Sequence, residues 1–398
     1  MKLKFAPCLI LIQFLFLLTP PAFAQESNWY KGNLHTHTYW SDGDEFPEMV
    51  LDWYRKNDYQ FVAISDHNIL PEGEKWKTIP KDSSYQKAFQ NYLNKYGEDW
   101  VHYKEDNEGI HVKLKTYQEF SDLFEKKGSF MIFKAEEVTS YLEGKAVHMG
   151  AINIKHLVEP QNGNSIAELI QNNLDAIKSQ EDSIGRPVLQ HLNHPNFTYA
   201  ITAEDIIKLN GERFFEVFNG HPHVNNYGDS VHNSTEEMWD RVNIAYANNN
   251  KPLLFGIATD DSHNYHKFGQ KYSNAGRGWV TVRADTLSRT AIINNLESGD
   301  FYASTGVELE ALKMKRDKIK FQIKAEEGVS YTTQIIGVYK NSFKPEIIAN
   351  LEGADIRFEI PDDLLFLRAK IISDKPKKNP YKKGDVEVAW LQPFIPDN

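Results

Sequence analysis

Between Trp29 and about Gly299 the sequence alternates short apolar stretches with amphipathic ones, and this alternation limits the possible folds more than any other feature. The apolar stretches are rich in Val, Ile and Phe, which is typical of buried parallel strands. The eight stretches are NWYKGNLH, YQFVAIS, SFMIFKAE, AVHMGAIN, PVLQHLN, RFFEVFN, PLLFGIAT and GWVTVRA. The amphipathic stretches have helical spacing, clearest in NSIAELIQNNLDAIKSQ, where Asn164 or Ser165 could cap the helix. This pattern predicts an α/β fold, either a (β/α) barrel or a doubly wound sheet.

Two segments interrupt the alternation. Residues 71–127 are charged and rich in tyrosine, and we predict an insertion there that could cover the mouth of a site. From Thr305 onward the helical periodicity fades, and stretches such as DIRFEIP and VEVAWLQPF are separated by Gly, Pro, Asp and Lys residues. This part of the chain is predicted to form a small all-β domain.

The first 24 residues have the features of an export signal. Lys2 and Lys4 precede an apolar core, and the small-residue sequence AFA precedes Gln25. The apolar run is shorter than the roughly 20 residues of a membrane-spanning helix, which favours cleavage over anchoring. We therefore predict a periplasmic or secreted protein with no membrane span after cleavage. The predicted parts are a signal peptide (1–24), an α/β domain (25–304) and a C-terminal all-β domain (305–398).

Cysteine content and charge narrow the chemistry. Cys8 is the only cysteine and lies within the predicted signal, so a metal in the mature chain would be held by nitrogen and oxygen ligands. The formal net charge is −10, and −12 without Lys2 and Lys4, which disfavours binding to duplex nucleic acid or anionic membranes. The chain also lacks phosphate-binding loop and dinucleotide-binding glycine motifs. A small-molecule substrate is therefore expected.

Most of the histidines and several acidic residues lie at or just after a predicted strand. In NLHTH, strand alternation directs His35 and His37 to the same face. The others are Asp66, His67, Glu136, Glu137, His148, His191, His194, Asp260, Asp261 and His263. The carboxyl ends of parallel strands meet at one face of an α/β barrel, so these side chains should converge. A single histidine is more often structural than a ligand, but this repetition favours a polynuclear metal centre whose cations relieve repulsion between carboxylates.

The order H-x-H, S-D-G, D-H, E, H, H-P, D-x-H between about residues 30 and 305 resembles the PHP (polymerase and histidinol phosphatase) superfamily of metallohydrolases. The segments GNLHTHTYWSDG, FVAISDHN, GIATDDSH and FYASTG are most similar to its CehA/McbA-like branch, which includes carbaryl hydrolase. The resemblance implies a distorted (β/α)7 barrel with two or three divalent metal ions (Zn, Mn or Fe) at the carboxyl ends of its strands.

The resemblance also assigns residues position by position. The implied metal ligands are His35, His37, Asp42, His67, Glu137, His148, His194, Asp261 and His263. Glu137 matches the bridging carboxylate better than Glu136 does. Asp66, Asp260 and Glu216 are expected to support the ligands rather than bind metal. The remaining histidines at or near the predicted strand ends, His191, His221, His223, His232 and His266, have no implied ligand role.

The leading functional prediction is metal-assisted hydrolysis of a phosphate ester. Arg277 is a candidate for binding the phosphoryl group, and His191 or His223 is a candidate general acid. Hydrolysis of a carbamate, carboxylic ester or amide at the same centre is one alternative. A non-catalytic metal-containing binding protein, and a structural or scavenged metal, are the others.

Overall fold

The structure is a computed structural model that describes residues 28–315 and 317–396. The predicted signal peptide, with Cys8, lies outside the described residues. Among the helices that are described, none is long and apolar enough to cross a lipid bilayer.

Strands and helices alternate through the first three quarters of the chain, as predicted. The elements up to residue 152 are β1 (Asn28–Asn33), α1 (Pro47–Lys56), β2 (Phe61–Ile64), β3 (Trp76–Thr78), α2 (Ser83–Tyr96), β4 (Tyr103–Asp106), β5 (Gly109–Lys113), α3 (Tyr117–Phe124), β6 (Met131–Leu142) and β7 (Lys145–Ile152). They are followed by α4 (Ile166–Ile184), β8 (Leu189–Leu192), α5 (Ala203–Ile207), β9 (Phe214–Asn219), α6 (Thr235–Asn248), β10 (Phe255–Thr259), β11 (Trp279–Ala284), α7 (Arg289–Glu297) and β12 (Phe301–Ser304). All eight apolar stretches predicted as strands coincide with strands.

These strands form one large mixed sheet, which confirms the α/β prediction at that level. Its order is β10-β9-β8-β7-β6-β2-β1-β11-β12, and it continues into later strands. β1/β2, β2/β6, β8/β9 and β9/β10 are parallel pairs, whereas β7 is antiparallel to both neighbours. β7 follows β6 through a tight turn in which Glu143 and Gly144 both have positive φ. The (β/α)7 barrel implied by the resemblance stays a prediction.

The carboxyl ends of β1 and β10 are joined directly. A parallel bridge pairs Thr36 with Ser262, and the backbone N–H of His37 donates to the Ser262 carbonyl at 3.0 Å. The Asp261 N–H donates to the His35 carbonyl at 3.1 Å. The sheet therefore curls until the segments after its first and tenth strands meet.

Helix α4 illustrates why these helices form where the sequence predicts. The Ser165 hydroxyl accepts the N–H of Glu168 and caps the helix, and Gly185 ends it in the left-handed region at φ 64°. Leu169, Leu174 and their neighbours at helical spacing are buried against the sheet. Each such side chain contributes about 1.5–3 kcal/mol of hydrophobic stabilisation, an upper value because unfolded chains already bury part of it.

The predicted insertion is folded and packs beside the H-x-H segment. Its strands β3, β5 and β4 form a separate three-stranded sheet, in that order. Its core residues Phe89 and Tyr92 pack with Trp40 and Phe46, which follow His37 in sequence. The Trp40 indole N–H donates to the Lys115 carbonyl at 2.9 Å. The insertion is thus anchored to the segment that carries Asp42.

From Leu309 onward every described element is a strand. They are β13 (Leu309–Lys315), β14 (Lys318–Ile323), β15 (Tyr331–Tyr339), β16 (Glu346–Glu352), β17 (Asp355–Glu359), β18 (Leu364–Pro376) and β19 (Val386–Phe394). β13, β14 and β17 form their own sheet, whereas β19, β18, β15 and β16 extend the large sheet beyond β12. Because β19 pairs directly with β12, the domain boundary at 304/305 stays a prediction.

Candidate metal centre

The first two candidate ligands, His35 and His37, follow the end of β1. His35 and His37 are fully buried on one face, separated by Thr36, whose hydroxyl bonds that of Tyr54 at 2.8 Å. The Nε2 atoms of the two histidines are 3.1 Å apart. Strand alternation explains this convergence, as the sequence predicts.

Glu137, on β6, lies at the middle of the cluster. Its Oε1 is 3.2 Å from His35 Nε2, 3.0 Å from His148 Nδ1 and 3.1 Å from His194 Nε2. Its Oε2 is 2.9 Å from His67 Nδ1 and 3.3 Å from His37 Nε2. Glu136 points to the other side of the strand, where its carboxylate accepts the N–H of Val158 at 2.9 Å. The structure therefore brings Glu137, and not Glu136, to the histidines.

Asp42, Asp261 and His263 complete the cluster on its other side. Asp261 Oδ1 lies 3.4 Å from His35 Nε2, 3.3 Å from His37 Nε2 and 3.4 Å from His263 Nδ1. Asp42 lies 3.4 Å from His263 Nε2, 3.6 Å from His37 Nδ1 and 3.7 Å from His67 Nε2. The Asp42 side chain is 59% exposed, so the cluster opens to solvent here.

The structure places all nine implied ligands together. Their donor atoms form four overlapping groups in which all atoms lie within 4.8 Å of one another. The groups are His37, Asp42, His67 and His263; His35, His194 and Asp261; His35, His37 and Glu137; and His67, Glu137 and His148. Three buried atoms of the set make no hydrogen bond to any residue that the structure describes: Glu137 Oε2, Asp261 Oδ1 and His148 Nε2. Nitrogen and carboxylate donors with free lone pairs fit divalent cations such as Zn, Mn or Fe.

The charges of the ligands are strongly coupled. Burial alone would raise the pKa of Glu137, but His35, His67 and His148 hold it well below its usual range. Burial likewise opposes the charge of His263, yet Asp42 and Asp261 raise the pKa of that imidazole to about 9. Without cations, the cluster is thus held together by carboxylates facing protonated imidazoles.

Metal binding is therefore expected to release protons and to strengthen between pH 6.5 and about 9. His263 keeps its proton through neutral pH in the metal-free protein and must lose it to bind a cation. In the metal-free protein the stability due to this proton is present below pH 6.5 and is lost as the pH rises through about 9. Titration calorimetry in buffers of different ionisation enthalpy measures the release. Binding without proton release at pH 7 would contradict this charge state.

Glu216, on β9, supports the ligands as expected. Its Oε1 accepts from His35 Nδ1 at 2.8 Å and from the Thr259 hydroxyl at 2.7 Å. Its Oε2 accepts the backbone N–H of His194 at 2.8 Å and the side-chain N–H of Asn219 at 2.7 Å. A carboxylate on Nδ1 fixes the tautomer that leaves His35 Nε2 free to bind metal.

Asp66 and Asp260 support the backbone rather than the ligand imidazoles. Asp66 accepts from the N–H and hydroxyl of Thr38, both at 2.8 Å, and from the Ser41 hydroxyl at 2.6 Å. Asp260 accepts the Tyr54 hydroxyl at 2.9 Å and the backbone N–H of Arg277 at 2.6 Å. These carboxylates hold the two loops that carry Asp42 and His263.

Arg277 is not brought to the cluster. Its five guanidinium N–H donors are directed to the carbonyls of Gly220, Tyr272 and Gly269 and to the carbonyl and side-chain oxygens of Asn379. The side chain is also buried, with 2% exposed. The expectation that Arg277 binds a phosphoryl group does not fit this arrangement, because no donor remains for the substrate.

His191 is also poorly placed for its expected role. Its ring is fully buried and packs against Gly150, where an added Cβ would lie 2.1 Å from Nε2. Burial lowers the pKa of His191 to about 4, so it is neutral near pH 7 and has no imidazolium proton to donate. The structure supports a packing role behind His35 rather than general acid catalysis.

His221 lies beside the cluster, although the resemblance implies no ligand role for it. It follows β9 directly, so the strand-end rule that selects the other histidines also selects it. Its ring lies 5.5 Å from that of His263 and 6.0 Å from that of Phe197. The backbone N–H of His223 donates to His221 Nδ1 at 3.2 Å, which leaves the ring proton on Nε2. No described residue pairs with Nε2.

The other histidines lie outside the cluster. His223 is exposed. His232 stacks on Tyr199, with ring centroids 3.8 Å apart, and pairs with Asp229 at 2.9 Å. His266 faces the buried carboxylate of Glu45 at 3.2 Å.

No protein-family model matches this sequence, and no curated protein matches it. Among solved structures, a two-domain protein from Bacteroides vulgatus containing a predicted PHP-like metal-dependent phosphoesterase is similar over 92% of this chain and 95% of its own, with 12% identity and a TM-score of 0.39. A protein from Bifidobacterium adolescentis, provisionally named a metal-dependent phosphoesterase, is similar over 61% of this chain and 92% of its own, with 14% identity and a TM-score of 0.31. Both TM-scores are low, so neither likeness assigns a fold or a function to the present chain.

Proposed function

We propose that this chain is an exported, periplasmic or secreted, metal-dependent phosphoesterase of the PHP type and of its CehA/McbA-like branch, using two or three Zn, Mn or Fe ions. The observation that carries the proposal is the convergence of nine nitrogen and oxygen ligands around Glu137. When bound, divalent cations lower the pKa of a coordinated water and polarise a substrate oxygen. The chain then needs no nucleophilic side chain of its own.

The charge balance of the site supports an anionic substrate. The chain supplies four carboxylates in and beside the cluster, those of Asp42, Glu137, Asp261 and Glu216. Two divalent cations would balance these four negative charges, and three would exceed them, so a site loaded with three cations would attract a phosphate group. Asp42, the exposed ligand, marks the side from which substrate enters.

His221 is the residue we assign to substrate binding. Its Nε2–H has no acceptor in the described chain, and the ring stands beside His263 at the edge of the cluster. Its backbone N–H donates to the Asn219 side-chain oxygen at 2.8 Å, and the Asn219 side-chain N–H donates to Asp261 at 3.1 Å. Asn219 therefore links His221 to the candidate ligand Asp261. The Nε2–H of His221 can donate a hydrogen bond to a phosphoryl oxygen.

A second candidate function is hydrolysis of a carboxylic ester, carbamate or amide, and it is favoured by the aromatic rings at the cluster's edge. The Phe197 ring lies 5.3 Å from that of His194, and the Tyr141 ring lies 6.5 Å from that of His148. The Tyr141 side chain is 65% exposed. An exposed ring and a partly buried ring beside the ligands would suit a substrate with an apolar acyl or aryl group.

The function is tested by loading the purified protein with Zn, Mn or Fe and assaying a fixed panel of substrates. The panel contains p-nitrophenyl phosphate, a phosphodiester, naphthyl acetate and an aryl carbamate. We expect turnover of a phosphate ester with at least one metal. Esterase or carbamate turnover without phosphatase turnover would establish the second candidate, and bound metal without turnover would indicate a binding protein.

In the same assays, His221→Ala should lower kcat for the phosphate ester about a hundredfold, as loss of a positioned donor does. Its metal content should be unchanged, because His221 belongs to none of the ligand groups. His232→Ala is the matched control, since that ring stacks on Tyr199 away from the cluster. Loss of metal from the His221 variant would instead make this residue a ligand.

A further inference from the structure

A second cleft lies outside the metal cluster, between the first part of the α/β sheet and the tail. We call it the lysine cleft; its volume is about 660 Å³. None of the nine candidate ligands lines it. Its lining includes Lys31, Trp53, Tyr59, Phe268, Trp279 and Lys378.

The lysine cleft is cationic although the chain as a whole carries a net charge of −10. Its lining includes six basic residues, Lys31, Lys56, Arg277, Lys375, Lys377 and Lys378, against three acidic ones, Asp58, Glu308 and Glu387. Three of the basic residues are already paired, Lys56 with Asp52 at 2.8 Å, Lys375 with Glu326 at 2.6 Å and Lys377 with Asp385 at 3.9 Å. Two of the acidic residues are paired as well, Glu308 with Lys324 at 2.9 Å and Glu387 with Lys375 at 3.3 Å. Lys31 and Lys378 have no ion pair within the described chain. The cleft therefore offers positive charge that the protein does not neutralise.

Lys31 is the unpaired cation that contacts the aromatic wall of the cleft. Its ammonium lies 4.1 Å from the ring centre of Tyr59 and 4.0 Å from that of Trp279. Burial lowers the pKa of Lys31, which means that its surroundings do not fully compensate its charge. Ring faces hold an ammonium in place but leave its N–H donors without a negatively charged acceptor.

Two buried polar groups belong to the rings that contact Lys31. The Tyr59 hydroxyl and the Trp279 indole N–H are buried and make no hydrogen bond within the described chain. Buried polar groups without partners are uncommon and call for an explanation. The Lys31 ammonium is the group here that the oxygens of an anion in the lysine cleft would contact.

The mouth of the lysine cleft carries apolar rings. Phe268 is 65% exposed, and Trp53 is partly exposed beside Gly276. Gly276 has a positive φ of 87°, and an added Cβ there would lie 3.0 Å from the Trp53 ring. An exposed phenylalanine and a partly exposed tryptophan in the same cleft provide ring surfaces on which a planar ring can stack.

We infer that the lysine cleft is a second binding site, which takes a small phosphate, phosphonate or carboxylate joined to a planar ring. The anionic group would lie near Lys31 and Lys378, and the ring near Trp53 and Phe268. The inference does not depend on the proposed function, because none of the nine candidate metal ligands lines the lysine cleft.

Calorimetric titration of the metal-loaded protein with phenylphosphonate tests the site, since its carbon–phosphorus bond is not cleaved by ester hydrolysis. The expected result is saturable binding that weakens about tenfold or more in Lys31→Met and in Lys378→Ala. Methionine preserves the packing between Tyr59 and Trp279, and Lys378 is exposed, so both variants should fold normally. Inorganic phosphate should bind more weakly, because it lacks the ring.

A metal-site variant separates the lysine cleft from the cluster. In His37→Ala, which removes a candidate ligand, the lysine cleft should still bind phenylphosphonate. Binding that is lost in His37→Ala but retained in both lysine variants would place the ligand on the metals and overturn the inference. Absence of saturable binding in the wild-type protein would also overturn it.

Discussion

Glu137→Ala is expected to abolish metal binding and to lower kcat/KM at least about a thousandfold, equivalent to about 4 kcal/mol of transition-state stabilisation. Glu137 is the carboxylate that five histidines approach, and its Oε2 makes no hydrogen bond that could substitute for a cation. Removing it leaves a cluster of imidazoles with too little negative charge to hold two or three cations. Elemental analysis of freshly purified protein gives the metal content, and the assay panel gives the activity.

The neighbouring Glu136 provides a matched control. Burial raises the pKa of Glu136 to about 8, so this side chain is a neutral acid near pH 7. Its contact is the Val158 N–H on the other side of the strand, which a glutamine oxygen can also accept. Glu136→Gln should therefore retain both metal and activity. Loss of metal from this variant with full retention in Glu137→Ala would show that the two carboxylates have been assigned in the wrong order.

Arg368→Met is expected to lower the free energy of unfolding by about 3–5 kcal/mol. Arg368 lies on β18 with 2% of its surface exposed and donates to both carboxylate oxygens of Asp240 on α6, at 2.6 and 2.8 Å. Methionine can occupy the space over Trp239 but leaves the Asp240 carboxylate buried without its partner. Urea denaturation of the two proteins at the same metal loading measures the difference.

Two further variants distinguish the buried pair from arginine loss in general. Arg357→Met removes an exposed arginine that pairs with Asp355 at 3.2 Å on β17, and it should cost less than about 1 kcal/mol. Adding Asp240→Asn to Arg368→Met should recover part of the loss, because the uncompensated charge is removed. Equal destabilisation by the two arginine variants would show that the pair does not hold the tail against α6.

The cluster could be predicted from the sequence because the spacing of residues in a strand determines the face of the sheet on which their side chains lie. The spacing of His35 and His37 fixes their common face. β2 and β10 end shortly before His67 and Asp261, which places those side chains at the same edge. The same rule would have selected His221, which also follows a strand. The strand-end rule does not show whether the Arg277 guanidinium faces a substrate or donates to surrounding backbone carbonyls, as it does in the structure.

Features that depend on distant partners were not predictable. AVHMGAIN was predicted as a strand, but its antiparallel direction follows from the turn at Glu143 and Gly144, which hydrophobic pattern alone does not reveal. His191 lies within β8 and His194 follows it, and the sequence does not show that the His191 ring is buried against Gly150. The charged segment 71–127 was predicted as an insertion, but the sequence did not show that its Phe89 and Tyr92 pack against Trp40.

The bridge between Thr36 and Ser262 also affects how the protein reaches its folded state. It joins residues 226 positions apart in sequence, and the conformational entropy of closing so long a loop costs about 5 kcal/mol, apart from a constant contribution. Contacts of such high sequence separation form late in folding. The H-x-H segment therefore gains its full set of partners only after nearly the whole α/β part has folded, and a bound cation would act as a cross-link between the beginning and the end of that part.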